Sequence, residues 1–106
     1  MTHWKPKSKA IHQEFCRRAQ AKNKLMDEAE IVNFLALALC GEAGELANLI
    51  KKMWRGDSIS PEKIRHEIAD IRIYLDHLAD HLGVNIDDAC EEKLAIVQER
   101  LDAEAA

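Results

Sequence analysis

Glycine and proline are scarce in this chain, four and two residues among 106, and with them go the closely spaced turns that an all-β sandwich or barrel needs. Aromatic residues are few as well, two Trp, two Phe and one Tyr, and the alternation of β-branched and polar residues that marks strands is missing. The three cysteines, Cys16, Cys40 and Cys90, are widely spaced, form no CxxC pair and are odd in number, so a disulfide scaffold is excluded and a reducing, cytoplasmic location is expected. No stretch approaches the eighteen uninterrupted apolar residues of a membrane span. The basic opening Met1 to Lys9 has no apolar segment behind it, which argues against a classical export signal. Positive charge is not in excess either: 15 Lys and Arg stand against 19 Asp and Glu, for a net charge of −4. Acids and bases are interleaved, so the basic stripe of a nucleic-acid-binding surface is absent.

What remains is a chain that is 47% apolar and 32% charged, the balance of a folded globular protein. Its length fits one domain, 1–106, with a short N-terminal tail of about residues 1–7 and no internal repeat. Apolar residues recur at three- and four-residue intervals, which makes the chain all-α. A first helix is expected from Ser8 to Lys22, with Ile11, Phe15 and Ala19 on one side and the polar run Gln20 to Lys24 after it. A second begins near Asp27 and ends by Gly56, carrying Ile31, Leu35, Leu39, Leu46, Leu49 and Met53. Ser60 is a suitable N-cap with Pro61 at the first helical position, opening a third helix that Gly83 closes. Asn85 caps a fourth, with Asp87 and Asp88 in its first turn and Ile86, Cys90, Leu94, Val97 and Leu101 facing inward. Short connections predict antiparallel neighbours, hence a four-helix bundle with two long central helices, completed by dimerisation.

The chemistry lies in Glu42-Ala43-Gly44-Glu45 on the second helix and Glu67-Ile68-Ala69-Asp70 on the third. Each pair has i,i+3 spacing, which sets two acids on one helical face a turn apart. Glu42 falls within the apolar stripe and Glu45 at its margin, while Glu67 and Asp70 run along an edge that Tyr74 and His77 continue. Four like charges beside an apolar interface require protons or a cation. Oxygen-only donors favour a hard ion, magnesium with manganese as a substitute. Solvated acids would be expected to carry Lys or Arg four residues on, yet Leu46 and Leu49 follow Glu42 and Glu45, and Ile71 and Tyr74 follow Glu67 and Asp70. Gly44 costs about 1 kcal/mol in a helix relative to alanine, which suggests close helix approach or room for a ligand.

The segments GEAGELANLIKK and EIADIRIYLDHLADHLGV, with ExxE followed by ExxD, resemble the MazG-like all-α nucleotide pyrophosphohydrolases over roughly Leu35 to Arg100. The resemblance implies hydrolysis of a nucleoside triphosphate, often a deoxynucleotide, to a monophosphate and pyrophosphate, with Glu42, Glu45, Glu67 and Asp70 carrying magnesium and Glu45 favoured as the proton acceptor. It also implies that Lys93 and Arg100 lie near the phosphates and that Tyr74, as in dCTP pyrophosphatase-like members, lies near the ligand. The first helix, with Trp4, His12 and Phe15, would help to close a base pocket. Val97 stands where an asparagine is common, a departure that bears on the detailed contacts. Trp54 has the shape to stack on a base or to pack at an interface. The implied assembly is a homodimer or tetramer.

Two other enzymes fit less well. Phosphoribosyl-ATP pyrophosphohydrolase shares a related acidic site, but its typical acidic-Ala-Asp-Leu segment and following Tyr-His differ from Ala69-Asp70-Ile71-Arg72-Ile73-Tyr74. A di-iron bundle needs Glu-x-x-His pairs, which are lacking here, so His77 and His81 read as partly exposed side chains. A non-catalytic helical dimer that binds a basic partner is the reading outside enzymology.

Overall fold

The computed structural model describes residues 3–22, 24 and 27–105, and these form four helices with no strand among them. They are α1 (Trp4–Ala21), α2 (Glu28–Trp54), α3 (Pro61–His81) and α4 (Ile86–Ala105). The expected all-α, four-helix class is what the chain adopts.

Local chemistry explains the boundaries. Asp27 caps α2 by accepting the Glu30 backbone N–H at 2.9 Å, Ser60 caps α3 by accepting that of Lys63, and Asn85 caps α4 by accepting that of Asp88 at 3.0 Å. Each satisfies one of the N–H groups that a helix start leaves without a partner. At the other ends, Gly56 and Gly83 have φ of 102° and 70°. Asp57 N–H donates to Lys52 O while Gly56 N–H donates to Met53 O; Val84 and Gly83 repeat the pattern with Ala79 and Asp80. These are Schellman closures, in which a left-handed residue lets the chain fold back on the last turn.

Helix α1 departs from expectation at its start. It begins at Trp4 rather than Ser8, so most of the anticipated tail is helical, and its capping residue His3 makes no side-chain hydrogen bond. Pro6 sits in the first turn, where its missing N–H removes nothing. Ser8 is therefore inside the helix, not capping it. Part of the Gln20 to Lys24 run, Asn23, lies outside the described residues.

The long helices α2 and α3, antiparallel and joined by a short turn, make most of the tertiary contact. Leu35 is completely buried between them, with Ile31 and α1's Ala19 beside it and Cys16, Phe34, Tyr74 and Leu78 around that centre. Of the anticipated α1 stripe only Ala19 is buried; Ile11 and Phe15 stay exposed, although the Phe15 ring lies 5.3 Å from Phe34.

Helix α4 corrects the expectation most. None of its residues is buried, and Leu94 is 67% exposed with Val97 and Leu101 also open to solvent. Its apolar side faces no neighbour of sufficient size within one chain. The radius of gyration, 17.5 Å, exceeds the roughly 13 Å of a close-packed domain of this length.

Candidate functional site

The pairing of α2 with α3 brings Glu42, Glu67 and Asp70 together, one carboxylate oxygen of each lying within 4.8 Å of the others. Oε2 of Glu42 and Oε2 of Glu67 are shielded from solvent and have no hydrogen-bond partner among the described residues. Uncompensated buried carboxylate oxygens are costly, and the cost appears as proton affinity. The Glu42 carboxyl is pushed up to about 7, first by its removal from water, then by the adjoining Glu67 carboxyl, with which only a shared proton makes a hydrogen bond, and then by the charges of Asp70 and Glu45. Among the described residues no Lys or Arg is paired with any of the three.

Glu45 stands apart. It is exposed and does not belong to the group of three, though its charge reaches Glu42. Gly44, next to it, would bring an added Cβ within 4 Å of nothing, so close helix contact within one chain does not account for that glycine.

Tyr74 follows Asp70 by one turn and is half-buried; burial, then the charges of Glu42 and Asp70, raise its phenol pKa. It lines, with Asp70, Phe15, Phe34, His12 and His77, a largely apolar cleft of about 400 Å³ between α1 and the α2–α3 pair. The acidic group and an aromatic-walled cleft are thus continuous through Asp70.

No protein-family model matches the chain. The Gene 37 protein of Mycobacterium phage L5 is 32% identical to it over 81 residues, which cover 72% of this chain and 71% of that protein. The chain belongs to the Gene 37 family.

In this Gene 37 family member the remaining expected site residues are not gathered with the acids. Trp54 is 87% exposed and lies twelve positions beyond Glu42, about 18 Å along the helix axis. Lys93 and Arg100 are exposed on α4. Lys93 borders a shallow groove with Leu75, Leu78, Ala79 and Leu82, which leads away from the α3 edge that holds Asp70 and Tyr74.

Of the two histidines expected to be partly exposed, His81 is so and His77 is not. His77 is buried and His81 half-buried. His77 Nε2 meets Ser8 Oγ at 3.2 Å, His81 Nε2 meets His12 Nε2 at 2.9 Å, and His81 Nδ1 lies 2.6 Å from the Glu28 carboxylate. Ser8, His12 and Glu28 were not legible as partners, because they come from α1 and α2 and meet α3 only through tertiary packing. The i,i+4 spacing of His77 and His81 along one edge of α3 was the sole local signal.

Proposed function

We propose that this protein is a MazG-like, magnesium-dependent nucleoside triphosphate pyrophosphohydrolase, cleaving between the α- and β-phosphates to leave a monophosphate and pyrophosphate. The observation that carries this reading is the group of three carboxylates with two shielded, unpartnered oxygens. A close set of hard, anionic donors with no basic partner is chemically matched to a divalent cation, and magnesium suits such sites because it keeps positions for water and phosphate oxygens. Glu42, Glu67 and Asp70 would hold it. When bound, magnesium neutralises phosphate charge and eases deprotonation of water; manganese would substitute.

The chain's own residues supply the rest. Glu45, exposed and outside the group of three, would take the proton of the attacking water rather than hold metal. Phe15, Phe34 and Tyr74 give the adjoining cleft the flat apolar walls on which a base and sugar rest. Lys93 and Arg100 would offset phosphate charge, and their place on an α4 with no buried residue makes them candidates for delivery by a second copy. Trp54, with Ile50 and Met53 also exposed on the same last turns of α2, then belongs to the surface between copies rather than to a base stack. A homodimer in the cytoplasm, with nucleotide as its partner, is the working assembly under this proposal.

The test is a panel of ribo- and deoxyribonucleoside triphosphates incubated with magnesium and assayed for pyrophosphate and orthophosphate. Monophosphate and pyrophosphate are expected, abolished by Glu67→Gln and by chelation. Orthophosphate as the direct product, or full activity in Glu67→Gln, rejects the reading.

A further inference from the structure

We propose that His12, His77 and His81 form an acid-released latch that holds α1 against α2 and α3, so that acidification detaches α1 and opens the cleft it walls. Helix α1 contributes one buried residue, Ala19, to the core, so apolar packing secures it poorly. Near its middle, polar contacts take over. The His12 and His77 rings stack with centroids 4.3 Å apart and planes 16° from parallel. Ser8 Oγ meets His77 Nε2 at 3.2 Å, and His12 Nε2 meets His81 Nε2 at 2.9 Å.

Hydrogen counting shows why this arrangement depends on neutral rings. Two ring nitrogens 2.9 Å apart have room for one hydrogen between them. His81 Nδ1–H donating to Glu28 Oε1 at 2.6 Å leaves a bare Nε2 on neutral His81, which accepts from His12 Nε2–H. One added proton can be accommodated, since Glu28 and Asp80 lie near. Once His12 carries a proton, a second on His81 sets two cationic rings 2.9 Å apart nitrogen to nitrogen, and one on His77 sets them 4.3 Å apart face to face.

The surroundings do not reverse that balance. On α1, Cys16 Sγ lies 3.5 Å from His12 Nε2, and burial followed by the Glu28 charge raises its pKa, so it offers no negative charge. From α2 comes Glu28, and from α3 come Asp80 and Asp76, the latter paired with Arg72 at 3.1 Å. Across an adjoining cavity of about 470 Å³ that His77 lines stand Lys5, Lys9 and Asp87. Removal from water outweighs the acids: it is the largest influence on His12, held near 4 with further lowering from His77 and His81, and it lowers His77 as well. Freed from the cleft, the His12 and His77 rings return toward 6.5. The detached state therefore binds protons more tightly, and falling pH favours it. With α1 gone, Phe34 and Tyr74 lose the Phe15 and His12 wall beside Asp70.

The experiment is hydrogen exchange by mass spectrometry on the full chain from pH 7.5 to 4.5, without nucleotide or metal, corrected with unstructured reference peptides. It is therefore independent of the catalytic proposal. Protection of α1 peptides should fall at least tenfold between pH 7 and 5, while α2 and α3 peptides keep theirs. His12→Gln should move that loss to lower pH, and Glu28→Gln, which removes the acid that tolerates the first proton, to higher pH. Constant α1 protection down to pH 4.5, loss in step with α2 and α3, or a shift of Glu28→Gln to lower pH overturns the latch. Ring-proton NMR of the unmodified chain gives a check free of folding defects: a His12 titration well below 6.5 is expected, and titration of His12 and His77 near 6.5 refutes it.

Discussion

Glu42, at the α2–α3 contact, and His12, between α1 and α3, are both partly removed from water, and their consequences for stability run in opposite directions. The Glu42 carboxyl is raised from an ordinary 4.5 to about 7, chiefly by burial. The folded, metal-free chain thus binds that proton more tightly than the unfolded chain, and the associated stability is complete below about 4.5 and lost as pH rises through about 7. His12 is lowered from 6.5 to about 4, again chiefly by burial, so its contribution is present above 6.5 and lost as pH falls toward 4. In the window between, the two slopes partly cancel. Glu42→Gln should remove one of them, leaving a metal-free protein whose melting temperature falls monotonically with acid. At pH 8 the same variant should be more stable than the parent by about 1 kcal/mol, a few degrees in Tm, since only part of such a shift survives at a water-accessible edge. Added magnesium should stabilise the parent and not the variant, in calorimetric scans run with and without the ion. A variant that melts below its parent in metal-free buffer at pH 8 would remove the idea of unrelieved charge at this site. Glu42, Glu67 and Asp70 were readable as a group because ExxE and ExxD are properties of one helix each and the apolar stripe told which way they faced, whereas Glu45, at the margin of that stripe, falls outside the group. The histidine latch was not, since His12 finds His77 and His81 only after sixty-odd residues of intervening chain have folded.

At the scale of elements, polar caps and glycines mark where α2, α3 and α4 stop and start, and those positions were legible because each cap is settled within three or four residues. Asp27→Ala removes the acceptor of the Glu30 N–H and should cost about 1 kcal/mol. Gly83→Ala forces a side chain into φ of 70° and should cost about 1 to 2 kcal/mol. Urea unfolding monitored by circular dichroism measures both, and a neutral Gly83→Ala would mean that the closing turn of α3 relaxes freely. The start of α1 was misplaced for the complementary reason. Ser8 has the chemistry of a cap and Pro6 that of a breaker, but the Ser8 hydroxyl is engaged by His77 across the interface, and a proline in the first turn interrupts no hydrogen bond. Tertiary contact overrode the local signal there.

The whole molecule, taken as one chain, leaves too much apolar surface in water. Among the described residues five apolar side chains are buried and only Leu35 completely so, whereas Leu94, Ile96, Val97 and Leu101 on α4 and Ile50, Met53 and Trp54 at the end of α2 remain open. A 27-residue α2 gives a rod of about 40 Å, and the chain measures 58 × 39 × 26 Å overall, a shape that invites closure by a second copy. Periodicity correctly marked Leu94, Val97 and Leu101 as an apolar side; it carries no information on whether the surface that covers them belongs to the same chain. Two substitutions separate the cases. If α4 is a free-standing terminal helix, Leu94→Glu and Leu101→Glu alter exposed positions and should change stability by less than about 0.5 kcal/mol. If copies of the chain cover that side, the same changes place charge in an apolar interface, and sedimentation should show the assembly converted to monomer with a concentration-dependent loss of melting temperature. Should Lys93 and Arg100 serve a partner's acidic group, pyrophosphate release would fall with the dimer, and mixing Lys93→Ala chains with Glu67→Gln chains would restore part of it, because one hybrid site then holds intact carboxylates and an intact cation. Absence of any restoration, with mixed dimers demonstrated, would assign Lys93 to its own chain, and Arg100→Ala chains mixed in the same way test the second cation.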